Sequence, residues 1–187
     1  MILCCGEALI DMIPTPTMAG RDGFVPHTGG AVFNTAIALS RLGVETGMLS
    51  GVSTDAVGAE LLAELEKSGV ATRFLVRSDR PTTLAFVTLD DGQARYSFFD
   101  ENSAGRMVSI RDFPEITSDV EVLFLGGISL VCEPGADAYL GLVEREAHTQ
   151  TIMVDPHIRT GFIEDDARYR ARLARVLLCA DIVQVSD

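Results

Sequence analysis

Residues 29–36 read Gly29-Gly30-Ala31-Val32-Phe33-Asn34-Thr35-Ala36, a glycine pair followed by an apolar segment with one asparagine. The pattern predicts a helix over residues 31–42, ended by Gly43. Glycine lets a backbone approach a ligand closely, and the first turn of a helix has N–H groups without partners in the helix. The Asn34 side chain can both donate and accept hydrogen bonds. The combination favours a site for a polyhydroxylated small molecule, although a glycine pair before a helix is also typical of a tight turn.

The segments on either side of this helix alternate between short apolar strands and amphipathic helices. Strands that are apolar throughout are typical of a parallel sheet covered on both faces. The expected fold is therefore an α/β sandwich with a mostly parallel sheet. Its strands are predicted over residues 2–5, 46–50, 73–76, 122–125, 151–154 and 182–185, the last of them buried, and its other helices over residues 55–68, 134–147 and 165–178.

A second, antiparallel sheet is predicted beside the sandwich. Asp90-Asp91-Gly92 separates two strand-like segments, residues 84–89 and 95–99, which is a strong hairpin signal. Residues 12–16 and 23–27 have the same character. A small sheet that projects from a parallel one can act as a lid over a binding site. The two lid segments are expected at about residues 12–27 and 83–102 of a single domain.

Composition excludes some classes of partner. The chain has 187 residues, 47% of them hydrophobic, which suits one sizeable core. Its net charge of −12 argues against nucleic acid and against an anionic membrane surface. The four cysteines form no disulfide or metal pattern and are expected to be reduced thiols of a cytoplasmic protein. The three histidines have no metal-ligand spacing, so no metal site is predicted.

Five short motifs follow one another along the chain. They are Gly6-Glu7-Ala8-Leu9-Ile10-Asp11, the Gly29-Gly30 helix entrance, the segment from Gly51 to Gly58, Pro81-Thr82-Thr83, and Asp155-Pro156-His157-Ile158-Arg159. In this order and at these intervals, the set resembles the ribokinase-like, pfkB-type carbohydrate kinases over residues 1–187. The resemblance implies a three-layer α/β sandwich with a β lid. It also implies an ATP-dependent kinase, assisted by Mg²⁺, that phosphorylates a sugar hydroxyl.

The resemblance also assigns substrate-binding residues. By the resemblance, Asp11 binds the sugar. Its place after an apolar strand agrees with this role, because ligands of open α/β sheets bind beyond the carboxyl ends of strands. Gly29, Gly30 and Asn34 form the sugar side of the helix entrance. Ala31 stands where ribokinase-type sequences often have lysine, which weakens an assignment to ribose.

Two further contacts are expected from the lid and from the last motif. Residues 95–99 resemble the fructokinase form of the lid, and Phe98 would shield the sugar from water. Arg159 would bind substrate oxygens or the transferring phosphoryl group. His157 replaces the asparagine usual in this motif, which leaves its role open. Asp55 and Gly58 are interpreted as structural, as a helix cap and a close packing contact.

The first choice of activity is fructokinase, with 2-keto-3-deoxygluconate kinase and ribokinase as alternative kinases. The family's nucleotide site, glycine-rich anion hole and catalytic base belong to its second half. The chain is therefore expected to be the N-terminal portion of a kinase, inactive alone and without a catalytic base. A non-catalytic sugar-binding or dimer-forming fragment stays an alternative. Some family members pair through their lids, and the apolar strand over residues 84–89 has a face and an edge to cover, so a homodimer through the lid is expected.

Overall fold

The structure is a computed structural model that describes residues 1–90, 93–158 and 160–185. The first half of the chain contains β1 (Ile2–Cys5), β2 (Leu9–Pro16), β3 (Asp22–Gly29), α1 (Ala31–Arg41), β4 (Thr46–Leu49), β5 (Gly51–Ser53), α2 (Ala56–Lys67), β6 (Val76–Ser78) and β7 (Leu84–Asp90). The second half contains β8 (Gln93–Phe99), β9 (Val122–Gly126), α3 (Gly135–Glu146), β10 (Thr151–Asp155), α4 (Asp166–Leu178) and β11 (Ile182–Val183). Two 3₁₀ helices, Gly127–Leu130 and Thr160–Phe162, follow β9 and β10.

Among the described residues, the main sheet has five strands in the order β11-β10-β9-β1-β4. Its pairings are parallel, and Ile2 of β1 is in register with Thr46 on one side and Val122 on the other. The predicted α/β fold with a mostly parallel sheet is confirmed. Because the carboxyl ends of parallel strands share one edge, the loops after β1, β9 and β10 meet there.

The side chains of the main sheet alternate between two cores. Leu3 and Cys5 of β1 pack with α3, whereas Cys4 between them packs with α1 and α2. The central strand β9 alternates in the same way, with Leu123 on the α3 side and Phe124 on the α1 side. These two apolar layers on either side of one sheet make the three-layer sandwich, and they explain why the strands read as uninterrupted apolar segments.

A second, smaller sheet has the strand order β3-β2-β7-β8, and we call it the small sheet. The β2–β3 and β7–β8 pairs are antiparallel, as the sequence predicts. The two hairpins join through β2 and β7, which run parallel with Asp11 opposite Ala85. Residues 91 and 92 of the predicted turn lie outside the described residues.

Helix starts follow the predicted residues closely. Asp55 caps α2 by accepting a hydrogen bond from the Gly58 N–H at 2.6 Å, and Asp165 caps α4 by accepting from the Arg168 N–H at 3.0 Å. The start of α1 differs, because Gly30 has φ 109° and no side chain that could cap a helix. The N–H groups at the start of α1 therefore need a hydrogen-bond acceptor from elsewhere in the chain.

Two strand predictions are wrong. The segment predicted as a strand over residues 73–76 begins as a loop, and the strand is β6 at Val76–Ser78. Its apolar signal came from Phe74, which is buried in the main core from a non-strand segment. The last strand is shorter than predicted, β11 at Ile182–Val183, and within residues 1–185 it stands at the end of the strand order, with Ile182 49% exposed and Val183 47% exposed. Within the described ranges, no helix is both long and apolar enough to cross a membrane.

Candidate functional site

Asp11 lies against Gly29, but the predicted place after a strand is corrected, because Asp11 is the third residue of β2 within the small sheet. It is on β2, half-buried, and its carboxylate lies so close to Gly29 that any side chain there would overlap it. Burial raises the pKa of the Asp11 carboxyl, and the opposing His27 on β3 acts in the lowering direction. A half-buried carboxylate beside a bare backbone can accept hydrogen bonds from neighbouring hydroxyl groups.

Gly30 and Asn34 continue this surface. The Asn34 N–H donates to the Gly30 carbonyl at 2.9 Å, so Asn34 is tied to the glycine turn, while its side chain is exposed. Gly30 has φ 109°, a conformation that disfavours residues with a side chain. The structure therefore brings Asp11, Gly29, Gly30 and Asn34 together at the entrance of α1.

Sequence reasoning missed the acceptor that completes this entrance. The Ala31 N–H, the first of α1, donates to Glu7 Oε1 at 3.0 Å. One of the N–H groups that have no partner within the helix is therefore already taken by Glu7. Glu7 stands in a quoted motif, but its partners are 24 and 122 residues away along the chain, and no local pattern indicates contacts of that range.

Phe98 shares a row of the small sheet with Asp11. The register places His27, Asp11, Ala85 and Phe98 side by side on four successive strands, so all four belong to one face. Phe98 also packs edge-on against Phe162, with ring centroids 4.6 Å apart. Its ring therefore joins the small sheet to the loop after β10.

A cleft of about 980 Å³ opens beside Phe98. Phe98 lines it, whereas Asp11, Gly29, Gly30 and Asn34 do not. Charged side chains that line the cleft form ion pairs with one another. Arg106 Nη1 lies 3.1 Å from Asp100 Oδ1, and Nη1 of the buried Arg172 lies 2.7 Å from Glu133 Oε1. We take the α1 entrance rather than this cleft as the candidate sugar site, because the direct contact between Asp11 and Gly29 is there.

The last motif is described only in part. Arg159 lies outside the described residues, so its predicted contact stays a prediction. His157 has φ 42°, and its N–H donates to Asp155 Oδ1 at 3.2 Å. Asparagine and histidine both enter this left-handed conformation more readily than most residues, which gives a backbone reason for histidine at this position.

Asp55 and Gly58 have the structural roles that the sequence predicts. Asp55 Oδ1 accepts from the Gly58 N–H and from the Thr82 hydroxyl at 2.8 Å, and Oδ2 accepts from the Thr82 N–H at 3.1 Å. A side chain at Gly58 would overlap the Ser53 carbonyl. Asp55 thus ties the start of α2 to the segment that leads into β7. Among residues 1–90, 93–158 and 160–185, no group of three or more His, Cys, Asp or Glu side chains could hold a metal ion.

Comparison with known proteins identifies the family of the chain. The family described as pfkB family carbohydrate kinase matches residues 1–187. The chain belongs to the pfkB family of carbohydrate kinases. It is 48% identical over 187 residues to a fructokinase of Rhizobium leguminosarum bv. trifolii, and 31% identical over 194 aligned residues to a probable fructokinase-3 of Arabidopsis thaliana. Both alignments cover the whole chain, but only 57% and 56% of these relatives, so the chain spans little more than half their length.

Two solved fructokinase structures share its fold. A fructokinase from Xylella fastidiosa superposes with a TM-score of 0.89 at 29% identity, covering 97% of this chain and 58% of that one. The same enzyme with bound ATP superposes with a TM-score of 0.88 at 27% identity, covering 97% of this chain and 59% of that one. These matches confirm the ribokinase-like arrangement predicted from the motifs.

Proposed function

We propose that the protein containing this chain is an ATP-dependent sugar kinase with fructose as its substrate. The observation that carries the proposal is the Asp11 carboxylate held against Gly29 at the α1 entrance. The two relatives named as fructokinases, 48% and 31% identical to the chain, support fructose over ribose and 2-keto-3-deoxygluconate.

In the proposed reaction, a sugar hydroxyl attacks the γ-phosphorus of ATP, its proton passes to a base that is proposed beyond this segment, and ADP leaves. Asp11 accepts hydrogen bonds from sugar hydroxyls, and Asn34 with the Gly29-Gly30 backbone orients the ring. Phe98 covers the sugar and excludes water, which would otherwise accept the phosphoryl group. Arg159 is proposed to stabilise charge on the phosphoryl group, and the contacts to ATP and Mg²⁺ are proposed mostly beyond this segment.

Residues 1–187 alone are proposed to have no kinase activity. Phosphoryl transfer needs both the positioning of the reacting groups and the stabilisation of the charge that develops on them. A chain with only part of the active site is therefore expected to have almost none of the rate. The test compares fructose-dependent ADP formation by residues 1–187 with that of the full-length protein. Turnover of the 187-residue chain near the full-length rate would contradict this proposal.

The small sheet is proposed to act as a lid and to join two subunits. On the face opposite Asp11, Phe24, Phe86 and Phe99 form an aromatic ladder, with edge-on ring contacts at 5.0 and 5.3 Å. Phe24 is 45% exposed and Phe99 61% exposed. Such a contiguous apolar patch is typical of a surface that another molecule covers, and a second copy of the lid is the proposed occupant.

A panel of sugars tests the activity. The full-length protein is incubated with ATP and Mg²⁺ and with fructose, ribose or 2-keto-3-deoxygluconate, and ADP release is followed. Fructose is expected to have the highest kcat/KM. Preference for another sugar would replace the substrate but keep the kinase, whereas no sugar-dependent ADP release would contradict the kinase itself.

A cytoplasmic location is part of the proposal. Its support is that Cys4, Cys5, Cys132 and Cys179 are free thiols, which a reducing compartment preserves. Cell fractionation tests it.

A further inference from the structure

Glu7 is a buried carboxyl group that contacts two elements at the edge where the parallel strands end. It lies two residues after the end of β1 and is only 8% exposed. Oε1 accepts from the Ala31 N–H at 3.0 Å, and Oε2 lies 2.6 Å from Ser129 Oγ. A longer contact, 3.4 Å, joins the Ser129 N–H to Oε2. Glu7 therefore bridges the first turn of α1 to the 3₁₀ helix after β9.

The backbone around Glu7 is shaped to receive this side chain. Gly127 has φ 67°, and a side chain there would overlap the Glu7 carboxyl group. A Cβ at Gly30 would lie 2.8 Å from the Glu7 carbonyl oxygen. Two glycines with positive φ on different elements thus leave room for one residue, which indicates that the bridge is a built feature of the site.

The hydroxyl of Ser129 has two possible acceptors in this bridge. Ser129 Oγ lies 2.6 Å from Glu7 Oε2 and 2.8 Å from the Gly126 carbonyl oxygen. A hydroxyl carries one hydrogen, so Ser129 can donate to only one of these oxygens. If Ser129 donates to Gly126, a proton on Glu7 supplies the other bond. Burial is the largest effect on the Glu7 carboxyl and raises its pKa, whereas the hydrogen bonds from Ser129 and from the backbone act in the lowering direction.

We infer that Glu7 is a positioning residue of the sugar site, acting as a hydrogen-bond bridge between the α1 entrance and Ser129. Because Glu7 accepts a hydrogen bond from the Ala31 N–H, it fixes the peptide bond between Gly30 and Ala31. Gly30 directly follows Gly29, which lies against Asp11. The Gly30–Ala31 peptide also precedes the helical turn that contains Asn34. The inference rests on the proposed sugar site and names a residue that sets its shape.

Glutamine is the discriminating substitution at this position. In Glu7→Gln, the side-chain oxygen can still accept from Ala31, and the amide can donate to Ser129 Oγ while Ser129 donates to Gly126. The substitution removes the titratable group and the long contact to the Ser129 N–H. Alanine removes both sides of the bridge. The inference therefore predicts that Glu7→Gln keeps the fructose affinity and the protection of residues 30–36 that Glu7→Ala loses.

The experiment uses the full-length protein and measures fructose affinity by calorimetry, ATP affinity separately, and hydrogen exchange of a peptide over residues 30–36. Glu7→Ala is expected to weaken fructose binding about tenfold or more and to speed exchange in the peptide, with ATP affinity unchanged. Glu7→Gln is expected to stay within about threefold of the wild type. Ser129→Ala is expected to fall between them, and the double variant Glu7→Ala/Ser129→Ala to be no worse than Glu7→Ala.

Ser40→Ala is the matched control, because Ser40 makes a side-chain hydrogen bond to the Ser68 carbonyl at 2.8 Å near the other end of α1. It is expected to leave fructose affinity unchanged. The inference is overturned if Glu7→Gln is as damaging as Glu7→Ala, or if Glu7→Ala binds fructose like the wild type. If Glu7→Ala does not fold, Glu7→Gln and Ser129→Ala decide by the same criteria. If the wild type itself does not bind fructose, the proposed function fails, and exchange over residues 30–36 still decides whether Glu7 holds the entrance.

Discussion

At the scale of single residues, Glu7 makes stability depend on pH in a defined direction. Its pKa in the folded protein is raised above the ordinary value of 4.5, chiefly by burial. The folded state therefore holds its proton at pH values where the unfolded state has lost it. Stability is expected to fall as pH rises from about 4.5 through the raised pKa, and to level off above it.

The measurement is urea unfolding from about pH 4.5 to about pH 8 for the wild type and Glu7→Gln. The variant is expected to lose part of the wild-type slope, because an amide does not titrate in this range. Asp11 also has a raised pKa, so its contribution to the pH dependence of stability remains in both proteins. Identical pH profiles for the two proteins would contradict the assignment to Glu7.

At the scale of elements, Asp55 fixes the start of α2 to the chain that enters the small sheet. Burial acts to raise its pKa, but the hydrogen bonds from Gly58 and Thr82 outweigh it and hold the pKa below its ordinary range. Asp55→Ala is expected to lower the free energy of unfolding by about 2 kcal/mol, since it removes a helix cap and the Thr82 contacts together.

The matched control is Asp165→Ala, which removes a helix cap whose hydrogen bond comes from the Arg168 N–H. Its expected cost is about 1 kcal/mol. Denaturant unfolding of both variants measures the difference. An equal cost for the two caps would show that the Thr82 contacts do not stabilise the fold.

The sequence predicts those elements whose signals are local. The glycine pair and apolar periodicity predict α1, and the uninterrupted apolar segments predict the parallel sheet. The parallel pairing of β2 with β7 could not be predicted, because it joins residues far apart along the chain, as Asp11 and Ala85 show. Phe74 misled the strand prediction for a related reason: its side chain is buried by tertiary packing rather than by strand pairing.

The candidate site shows the same division. The resemblance assigned Asp11, Gly29, Gly30 and Asn34, and the structure brings them together at one place. Glu7 was missed because its function in the fold depends on Ser129, 122 residues away, and a lone glutamate in an apolar segment has no periodic signal.

At the scale of the whole molecule, the aromatic ladder predicts self-association. The full-length protein is expected to have the mass of a dimer by light scattering at micromolar concentration. Phe99→Ser is expected to shift it to the monomer, because Phe99 is the most exposed ring of the ladder. Tyr96→Ser is the control, since Tyr96 is 54% exposed on the opposite face of the same strand and should leave the dimer intact. A monomeric wild type would contradict the lid interface.

The central claim is that Asp11 at the α1 entrance binds the sugar of a kinase. The most direct test is fructose-dependent ADP release by the full-length protein, with Asp11→Asn beside the wild type. The wild type is expected to turn over fructose, and Asp11→Asn to lose about tenfold to a thousandfold in kcat/KM, because a half-buried charged acceptor is lost while the side-chain shape is kept. Near-normal kinetics of Asp11→Asn with fructose would remove Asp11 from the site and contradict the account.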